Sequence, residues 1–298
     1  MTDVELIGLL TDTTTTVPDV FINLNNWKQI YRDYSKMIHT DRCSHPKAGD
    51  AVSKLNNMRD TITKGEVHKD DAGDVRFYQG GTVEITAEAN ILKHSFNNWT
   101  WLMNAQGKVG DEIRKRIPMR GEIKDGTLTF KLPGRALPLS YLIKKNNAME
   151  LKHVNWILSR MLEFGSLING LGYTHAGITP DSIYIDPVTH GIYCISFYHM
   201  TKLCQKVGTI SSRYKGFYPA KLFKEKLAIE QIDIDLCKRT AIYLLGDSSG
   251  NGSKLRGKIP AVILQYLMKV DAKSFDSYKE WRAILTKNFQ PQFHILKV

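Results

Sequence analysis

The densest group of potentially reactive side chains lies in one stretch, HAGITPDSIYIDPVTHGIYCISF, at residues 175–197. Its carboxylates, Asp181 and Asp186, flank a short β-type run, and magnesium is a hard cation that prefers such oxygens. Two acids close in sequence could therefore hold a metal over phosphate groups, as phosphoryl transfer requires. A second interpretation stays open, in which Asp181 is a surface residue and Asp186 ends a strand at a turn.

A second group of polar side chains stands in the loop HTDRCSHPK at residues 39–47. His39 and Asp41 at a loop apex can pair with the charges or hydrogen-bonding groups of a partner. The segment before the loop carries basic residues on one helical face, namely Lys28, Arg32 and Lys36. Such a face can steer the chain toward an acidic protein surface.

The elements that position this loop are two amphipathic helices. Apolar residues at helical spacing predict a first helix from about Trp27 to Ile38 and a second from about Ala48 to Thr63. Gly65 and the polar stretch HKDDAGD then indicate a stop and a domain boundary. We therefore expect a helical module over residues 1–70, entered through the Thr-rich tract at residues 11–18.

The elements around residues 175–197 change type along the chain. Short β-type runs, VRFYQ, TVEITAE and ANILKHSF, precede a hairpin in which RGEIK and TLTFKL flank Asp125-Gly126. After Pro133-Gly134 the chain turns helical, with a long helix ending near Gly170 and helices at about 233–245, 259–270 and 277–288. Strands first and helices later predict an α+β fold, with a sheet part at residues 71–134 and a helical part at residues 135–298.

Composition places the chain among ordinary globular proteins. It has 298 residues, of which 42% are hydrophobic and 24% charged, and no apolar run reaches the roughly 18 residues of a membrane span. The N-terminal residues carry no basic region of a secretory signal, so we expect a cytoplasmic protein and no membrane partner. The net charge is +11, but the basic residues are dispersed, which makes nucleic acid an unlikely partner and favours a solvated basic surface.

Cysteine usage indicates a reducing compartment with buried thiols. The cysteines, Cys43, Cys194, Cys204 and Cys237, show no paired spacing. The residue types of His39, Cys43 and His45 would suit zinc, but a fourth ligand pattern is lacking. We therefore expect no metal site.

The helix–loop–helix segment resembles a J-domain over about residues 27–65, pairing YRDYSKMIHTDR with AVSKLNNMRDTITKG. The resemblance implies that the basic face, His39 and Asp41 bind a protein partner, which in that family is a DnaK-type chaperone. Thr40 stands where the family has proline, which would fix φ and stiffen the loop. The family's first helix is not evident, although Asp19 to Asn26 could supply a shortened one. The alternative is a hairpin that only docks on the second module.

The remainder of the chain resembles a bilobal protein kinase over most of residues 75–298. His175 stands at the family's catalytic-loop histidine and Phe197 follows the metal-ligand position, and both are expected to pack in the interior. Asp233, in DIDLCKRTAIYLLGD, matches the residue that braces the catalytic-loop backbone. Lys93 is the candidate for the third-strand lysine that contacts phosphates, and the Gly80-Gly81 pair offers a tight turn in place of a three-glycine loop.

The same resemblance implies that the acids of catalysis are missing. Gly177 stands at the catalytic aspartate, Ser182 at the metal-binding asparagine and Ser196 at the metal-binding aspartate. Without these groups the chain lacks a positioned base, which is worth about 10²–10⁴ in rate, and the charges that hold magnesium. We therefore expect no catalytic residues and no cofactor, with metal-free nucleotide binding as an open question.

Three functional hypotheses follow. The leading one is a catalytically inactive kinase-like scaffold with a J-like module. The alternative is a divergent ATP-dependent phosphotransferase or nucleotidyl transferase that uses relocated acids, with Asp181 and Asp186 as candidates. The third is a basic module that binds nucleic acid. Nucleic-acid binding that weakens steeply with rising salt concentration would favour this hypothesis.

Overall fold

The computed structural model describes residues 1–298 except 14, 16, 22–25, 71–72, 79, 290–294 and 297–298. The helices are α1 (Asp3–Thr11), α2 (Val17–Val20), α3 (Trp27–Ile38), α4 (Ala48–Lys64), α5 (Ala89–Met103), α6 (Gly107–Arg114), α7 (Leu139–Asn146), α8 (Leu151–Gly170), α9 (Ala220–Glu225), α10 (Gln231–Leu244), α11 (Ala261–Met268) and α12 (Ser274–Asn288). The strands are β1 (Glu66–Asp70), β2 (Gly73–Tyr78), β3 (Thr82–Thr86), β4 (Arg120–Lys124), β5 (Thr127–Lys131), β6 (Leu137–Pro138), β7 (Tyr173–Thr174), β8 (Ile183–Ile185), β9 (Ile192–Cys194) and β10 (Thr201–Lys202). The mixture of helices with a small antiparallel sheet agrees with the predicted α+β class.

The first helix, α1, was not predicted from the sequence. It begins at a capping box, in which the Thr2 hydroxyl accepts the Glu5 amide and the Glu5 carboxylate accepts the Thr2 amide. The helix buries Leu6, Ile7 and Leu10. It packs against both α3 and α4, so three helices enclose the core of the N-terminal part.

Helices α3 and α4 have the predicted bounds to within one residue. Their inward residues join α1 in a hydrophobic cluster of their own, which contains Leu6, Ile7, Leu10, Val20, Phe21, Ile38, Ala51, Leu55 and Met58. Of the proposed shortened helix at residues 19–26, Asp19 and Val20 are helical as part of α2, and Phe21 follows that helix in the core. Residues 22–25 of that segment, and Thr14 and Thr16 of the Thr-rich tract, lie outside the described residues.

Five antiparallel strands form the main sheet in the order β1-β2-β3-β5-β4. The predicted Asp125-Gly126 hairpin is confirmed, with β4 and β5 paired from Arg120↔Lys131 to Lys124↔Thr127. Both turn residues have positive φ, 49° at Asp125 and 73° at Gly126, as a two-residue hairpin turn requires. Strands β3 and β5 alternate buried and partly exposed residues, so one face of the sheet covers the core.

The change from helices to sheet comes at Gly65, where α4 ends and β1 begins directly. Because β1 pairs with β2 from Glu66↔Phe77 to Asp70↔Gly73, residues 66–70 belong to the sheet and not to the helical module that we predicted over residues 1–70. The Arg76 guanidinium also donates to the Lys64 carbonyl at 2.8 Å. The two parts are therefore joined without a linker.

The segment ANILKHSF is helical, so the prediction of a β-type run there is wrong. It forms the start of α5, which follows β3 and buries Leu92, Ser95, Trp99 and Leu102. Those positions recur at helical spacing, and burial of that face against the sheet overrides the β-branched and aromatic residues in the segment.

The helical half, residues 135–289, is built around α8 and α10, which bury most of their residues. Helix α12 packs on α8, where the Trp281 indole donates to the Ser159 hydroxyl at 2.9 Å. The predicted hairpin of SIYID and GIYCISF is confirmed as β8 and β9, paired from Ile183↔Cys194 to Ile185↔Ile192. Among the described residues, no helix is both long enough and apolar enough to span a membrane.

Candidate functional site

The tip of the helical hairpin presents one imidazole and one carboxylate to solvent. Helix α3 ends at Ile38, and the amides of Arg42 and Cys43 both donate to the His39 carbonyl at 2.9 Å, which closes the turn. His39 Nδ1 accepts the Asp41 amide at 3.3 Å and lies 3.4 Å from Asp41 Oδ2. The two side chains remain 54% and 83% exposed, so this local pair leaves both available to a partner.

The basic face of α3 is exposed along its whole length. Lys28, Arg32 and Lys36 follow one another at intervals of four residues and all face solvent. The side of the helix next to this face is fixed to α4, because Tyr31 donates to Asn56 Oδ1 at 2.6 Å and the Arg59 guanidinium donates to the Tyr31 hydroxyl at 2.9 Å. The face and the tip therefore form one continuous surface, with Lys36 one turn before His39.

The residues considered for zinc do not come together as a site. No group of three His, Cys, Asp or Glu side chains in the described chain is arranged to hold a metal ion. The Cys43 thiol is buried and lies 3.7 Å from Asp3 Oδ2, at the start of α1. The contact connects the tip loop to the first helix.

In the helical half, His175 occupies the interior. Its ring packs between Phe164 and Phe197, with ring centroids 5.4 and 5.8 Å away, and Phe130 of β5 extends this column of rings into the sheet. Its Nδ1 accepts the Gly177 amide at 3.2 Å. Burial lowers the pKa of His175 to about 3, so the ring is neutral and has a packing role.

Asp233 on α10 braces the backbone of the loop that contains His175. Its carboxylate accepts the amides of His175 and Ala176 at 2.9 and 2.8 Å and the Asn169 side-chain amide at 2.8 Å. Complete burial raises its pKa to about 6, against the opposing effect of these hydrogen bonds. Ala176 has a φ of 54°, which is uncommon for a residue with a side chain, and the braced amides stabilise this conformation.

Gly177, Ser182 and Ser196, where the resemblance implies missing catalytic acids, are neutral and buried. The Ser182 hydroxyl accepts the Thr179 amide at 3.0 Å and donates to the Gly177 carbonyl, so it closes the loop and does not face a cleft. Ser196 is 2% exposed, and its hydroxyl has no hydrogen-bond partner among the described residues. A Cβ at Gly177 would lie 3.3 Å from Cδ2 of His199, so even a small side chain would press on that ring.

The two nearby acids, Asp181 and Asp186, are used in separate structural contacts. Asp181 is buried, and its Oδ2 accepts the Arg213 guanidinium at 2.8 Å. The interpretation of Asp181 as a surface residue is therefore wrong. Asp186 follows β8 and accepts the amides of Val188 and Thr189 at 2.9 and 3.2 Å, which confirms its place at a turn.

Lys93 does not lie on a strand. It is an exposed residue of α5, so its prediction as a third-strand lysine is wrong. The third strand reads TVEIT and points Val83 and Ile85 into the core. The Gly80-Gly81 pair forms the turn between β2 and β3, where a Cβ at Gly81 would meet the Leu132 carbonyl at 2.2 Å.

Aromatic side chains fill the region where β2 faces the helical half. Phe77 packs edge-on against Tyr141 and Tyr184 at 5.5 and 6.2 Å, and both Phe77 and Tyr184 are buried. His68 joins the cluster and its Nε2 contacts the Asp181 carbonyl at 3.2 Å. Burial lowers the pKa of His68 despite the nearby Asp181, so the ring is neutral at neutral pH.

A cavity of about 900 Å³ adjoins this aromatic cluster. Its lining is Glu66, Val67, His68, Lys69, Phe77, Ser140, Tyr141, Ile143, Lys144, Asn147, Asp181, Arg213 and Tyr243. Sequence reasoning missed it because its walls come from five separate parts of the chain, at residues 66–77, 140–147, 181, 213 and 243. The only local signal was the charge-rich stretch after Gly65, which we interpreted as a boundary.

Comparison with protein-family models and with curated proteins found no match. Function is therefore argued from the residues and their geometry.

Proposed function

We propose that this chain is a non-catalytic, kinase-like scaffold whose helical hairpin binds a DnaK-type chaperone. The observation that carries the proposal is the braced loop, in which Asp233 holds the amides of His175 and Ala176 while neutral residues occupy the catalytic positions. The loop keeps the backbone organisation expected of a kinase and lacks its chemistry.

The order of the elements supports the kinase-like part of the proposal. A small antiparallel sheet with a helix after its third strand precedes a helical half, as the resemblance implies. The loop at His175 leads into the β8–β9 hairpin, and Ser196-Phe197 follows directly. Phe197 then packs on His175. The resemblance places these residues in the catalytic loop and in the metal-binding loop, and both are expected to pack in the interior.

The chemistry of the loop supports the non-catalytic part. Phosphoryl transfer depends on positioning and on charge stabilisation by metal ions. Gly177 has no side chain that could act as a base, and Ser196 carries no charge. The Ser182 hydroxyl is hydrogen-bonded to the loop backbone. Asp181 and Asp186 are engaged by Arg213 and by turn amides, so no acid replaces those that are missing at these positions.

The geometry of the hairpin supports the chaperone-binding part. His39 and Asp41 are exposed at the tip, and the basic face of α3 continues from them. Helix α1 supplies a first helix packed on the hairpin, a part of the J-domain resemblance that the sequence had not made evident. Arginine and lysine rows of this kind favour acidic partner surfaces.

Nucleotide binding and turnover test the scaffold. We expect isothermal titration to show no magnesium-dependent binding of ATP, and radiolabelled ATP to transfer no phosphate to this chain or to a general protein substrate. The double variant Asp181→Asn, Asp186→Asn is the control. Turnover by the wild type that disappears in the double variant would instead support a phosphotransferase with relocated acids.

Single-turnover ATP hydrolysis by a purified DnaK-type chaperone tests the hairpin. We expect the wild-type chain to accelerate hydrolysis, and His39→Ala and Asp41→Asn to abolish the acceleration. Asp50→Asn, the same change at another exposed aspartate of the module, should leave it intact. A wild type without effect, or variants that act like the wild type, would contradict chaperone binding and leave the scaffold proposal standing.

A further inference from the structure

The cavity beside Phe77 follows the outer edge of the main sheet. It is lined by four consecutive residues of β1, Glu66 to Lys69. Successive side chains of a strand point to opposite faces, so a cavity that touches four in a row runs along the edge of the strand. In the described chain β1 pairs with β2 on one side only. Alternate residues of such an edge strand direct their N–H and C=O groups outward.

The opposite wall of the cavity is one face of α7. Ser140, Tyr141, Ile143 and Lys144 line it, and the spacing of three and four residues between them places them on one side of the helix. Asn147, just after the end of α7, completes this wall. Tyr243 of α10 and Phe77 of β2 add aromatic surface. The cavity is therefore a groove between a strand edge and a helix.

Cations outnumber acids in the lining of this groove. Lys69, Lys144 and Arg213 all line it. Lys69 is 3.8 Å from Asp74 in a solvent-exposed pair, which contributes little. Among the described residues, no carboxylate lies within ion-pair distance of Lys144.

The acids of the lining are engaged within the protein. Asp181 is buried and paired with Arg213. Burial, together with the adjacent Glu66 carboxylate that interacts with its hydroxyl, raises the pKa of Tyr141 to about 12. Because Arg213 and Asp181 balance one another, Lys69 and Lys144 outnumber the Glu66 carboxylate and give the groove a net positive charge that attracts an anionic ligand.

We propose that this groove binds an extended acidic segment of a partner protein, which adds a strand to the free edge of β1. Strand addition supplies main-chain hydrogen bonds, and pockets for alternate side chains supply specificity. The five residues of β1 can pair with a partner strand about 17 Å long, at about 3.4 Å per residue. The binding site is separate from the hairpin tip and does not depend on chaperone binding.

Fluorescence polarisation with a labelled decapeptide of alternating Glu and Thr tests the proposal. We expect saturable binding to the full chain and none with a decapeptide of alternating Lys and Thr. The double variant Lys69→Glu, Lys144→Glu should weaken binding by roughly tenfold or more, since it reverses two charges that face the peptide. Lys124→Glu, on the opposite edge strand β4, is the matched control and should bind as the wild type does.

A peptide with N-methyl groups on alternate residues separates strand addition from simple charge attraction, because it keeps the charges and removes main-chain donors. We expect its affinity to fall as steeply as that of the double variant. Equal binding of the methylated peptide, equal weakening by Lys124→Glu, or no binding of the acidic peptide to the wild type would overturn the proposal. Far-UV circular dichroism checks that the variants are folded.

Discussion

Replacing Asp233 with asparagine removes the brace of the buried loop with the least change of shape. The carboxylate accepts three hydrogen bonds, from the amides of His175 and Ala176 and from Asn169 Nδ2. An asparagine has one acceptor oxygen, and its NH₂ group would face a donor. At least one buried N–H is then left without a partner, at about 1–3 kcal/mol each. We expect Asp233→Asn to lower the free energy of unfolding by about 2–4 kcal/mol at neutral pH.

Urea unfolding followed by circular dichroism and tryptophan fluorescence measures this loss. Asp235→Asn is the matched control, because Asp235 lies on the same helix and accepts one long hydrogen bond, 3.3 Å from Gln231. Hydrogen exchange of a peptide that covers residues 173–182 gives a local readout, and Asp233→Asn should raise its exchange rate. If Asp233→Asn unfolds at the wild-type urea concentration with unchanged exchange, the brace does not hold the loop and the reasoning is refuted.

The difference in stability between the wild type and Asp233→Asn should change with pH in a definite direction. Burial raises the folded-state pKa of Asp233 to about 6 from the ordinary aspartate value of 3.8. Between about pH 4 and pH 6 the folded protein therefore keeps the proton on Asp233, whereas the unfolded chain has lost it. The contribution of Asp233 to the free energy of unfolding falls as the pH rises through this range. The change is on the order of 3 kcal/mol. The stability difference between the wild type and Asp233→Asn should accordingly be larger at pH 4 than at pH 7, and the opposite trend would contradict the direction of the shift.

Three further predictions concern the loop and the helical half. Gly177→Asp should restore no phosphate transfer in a radiolabelled-ATP assay and should lower the thermal midpoint, because its Cβ would lie 3.3 Å from His199. Arg213→Ala should lower the free energy of unfolding by about 1–2 kcal/mol in urea titrations, since it leaves the buried Asp181 carboxylate without its cation, and the partial exposure of the arginine reduces the effect. Trp281→Phe should lower the free energy of unfolding, followed by circular dichroism, by about 1–2 kcal/mol. The substitution removes a buried indole and its hydrogen bond to Ser159.

Much of the secondary structure followed from local patterns in the sequence. The bounds of α3 and α4 could be predicted because their apolar residues recur at helical spacing and Gly65 ends the second helix. The Asp125-Gly126 turn was predictable because positive φ at two adjacent residues favours this pair. These signals depend on near neighbours in the chain and need no knowledge of tertiary packing.

The predictions that were missed or wrong concern features that depend on tertiary contacts. Helix α1 is apolar on most sides, so its periodicity is weak, although the capping pair Thr2 and Glu5 gave an available signal. The prediction for Lys93 failed because α5 was interpreted as a strand. Burial of Asp181 depends on Arg213, which lies far along the chain, and the groove along β1 depends on segments that only the fold brings together.

The braced loop shows why the proposed kinase-like shape can persist without catalysis. Asp233 acts on backbone amides, so its effect does not depend on the side chains at positions 177, 182 and 196. Carboxylates grouped there without a metal would repel one another and resist burial, and neutral residues avoid that cost. A stable scaffold of the proposed kind therefore benefits from the brace and gains nothing from acids at those positions. Because a fold alone does not specify a function, the proposals for recognition rest on two surfaces, the exposed tip at His39 and Asp41 and the groove along β1.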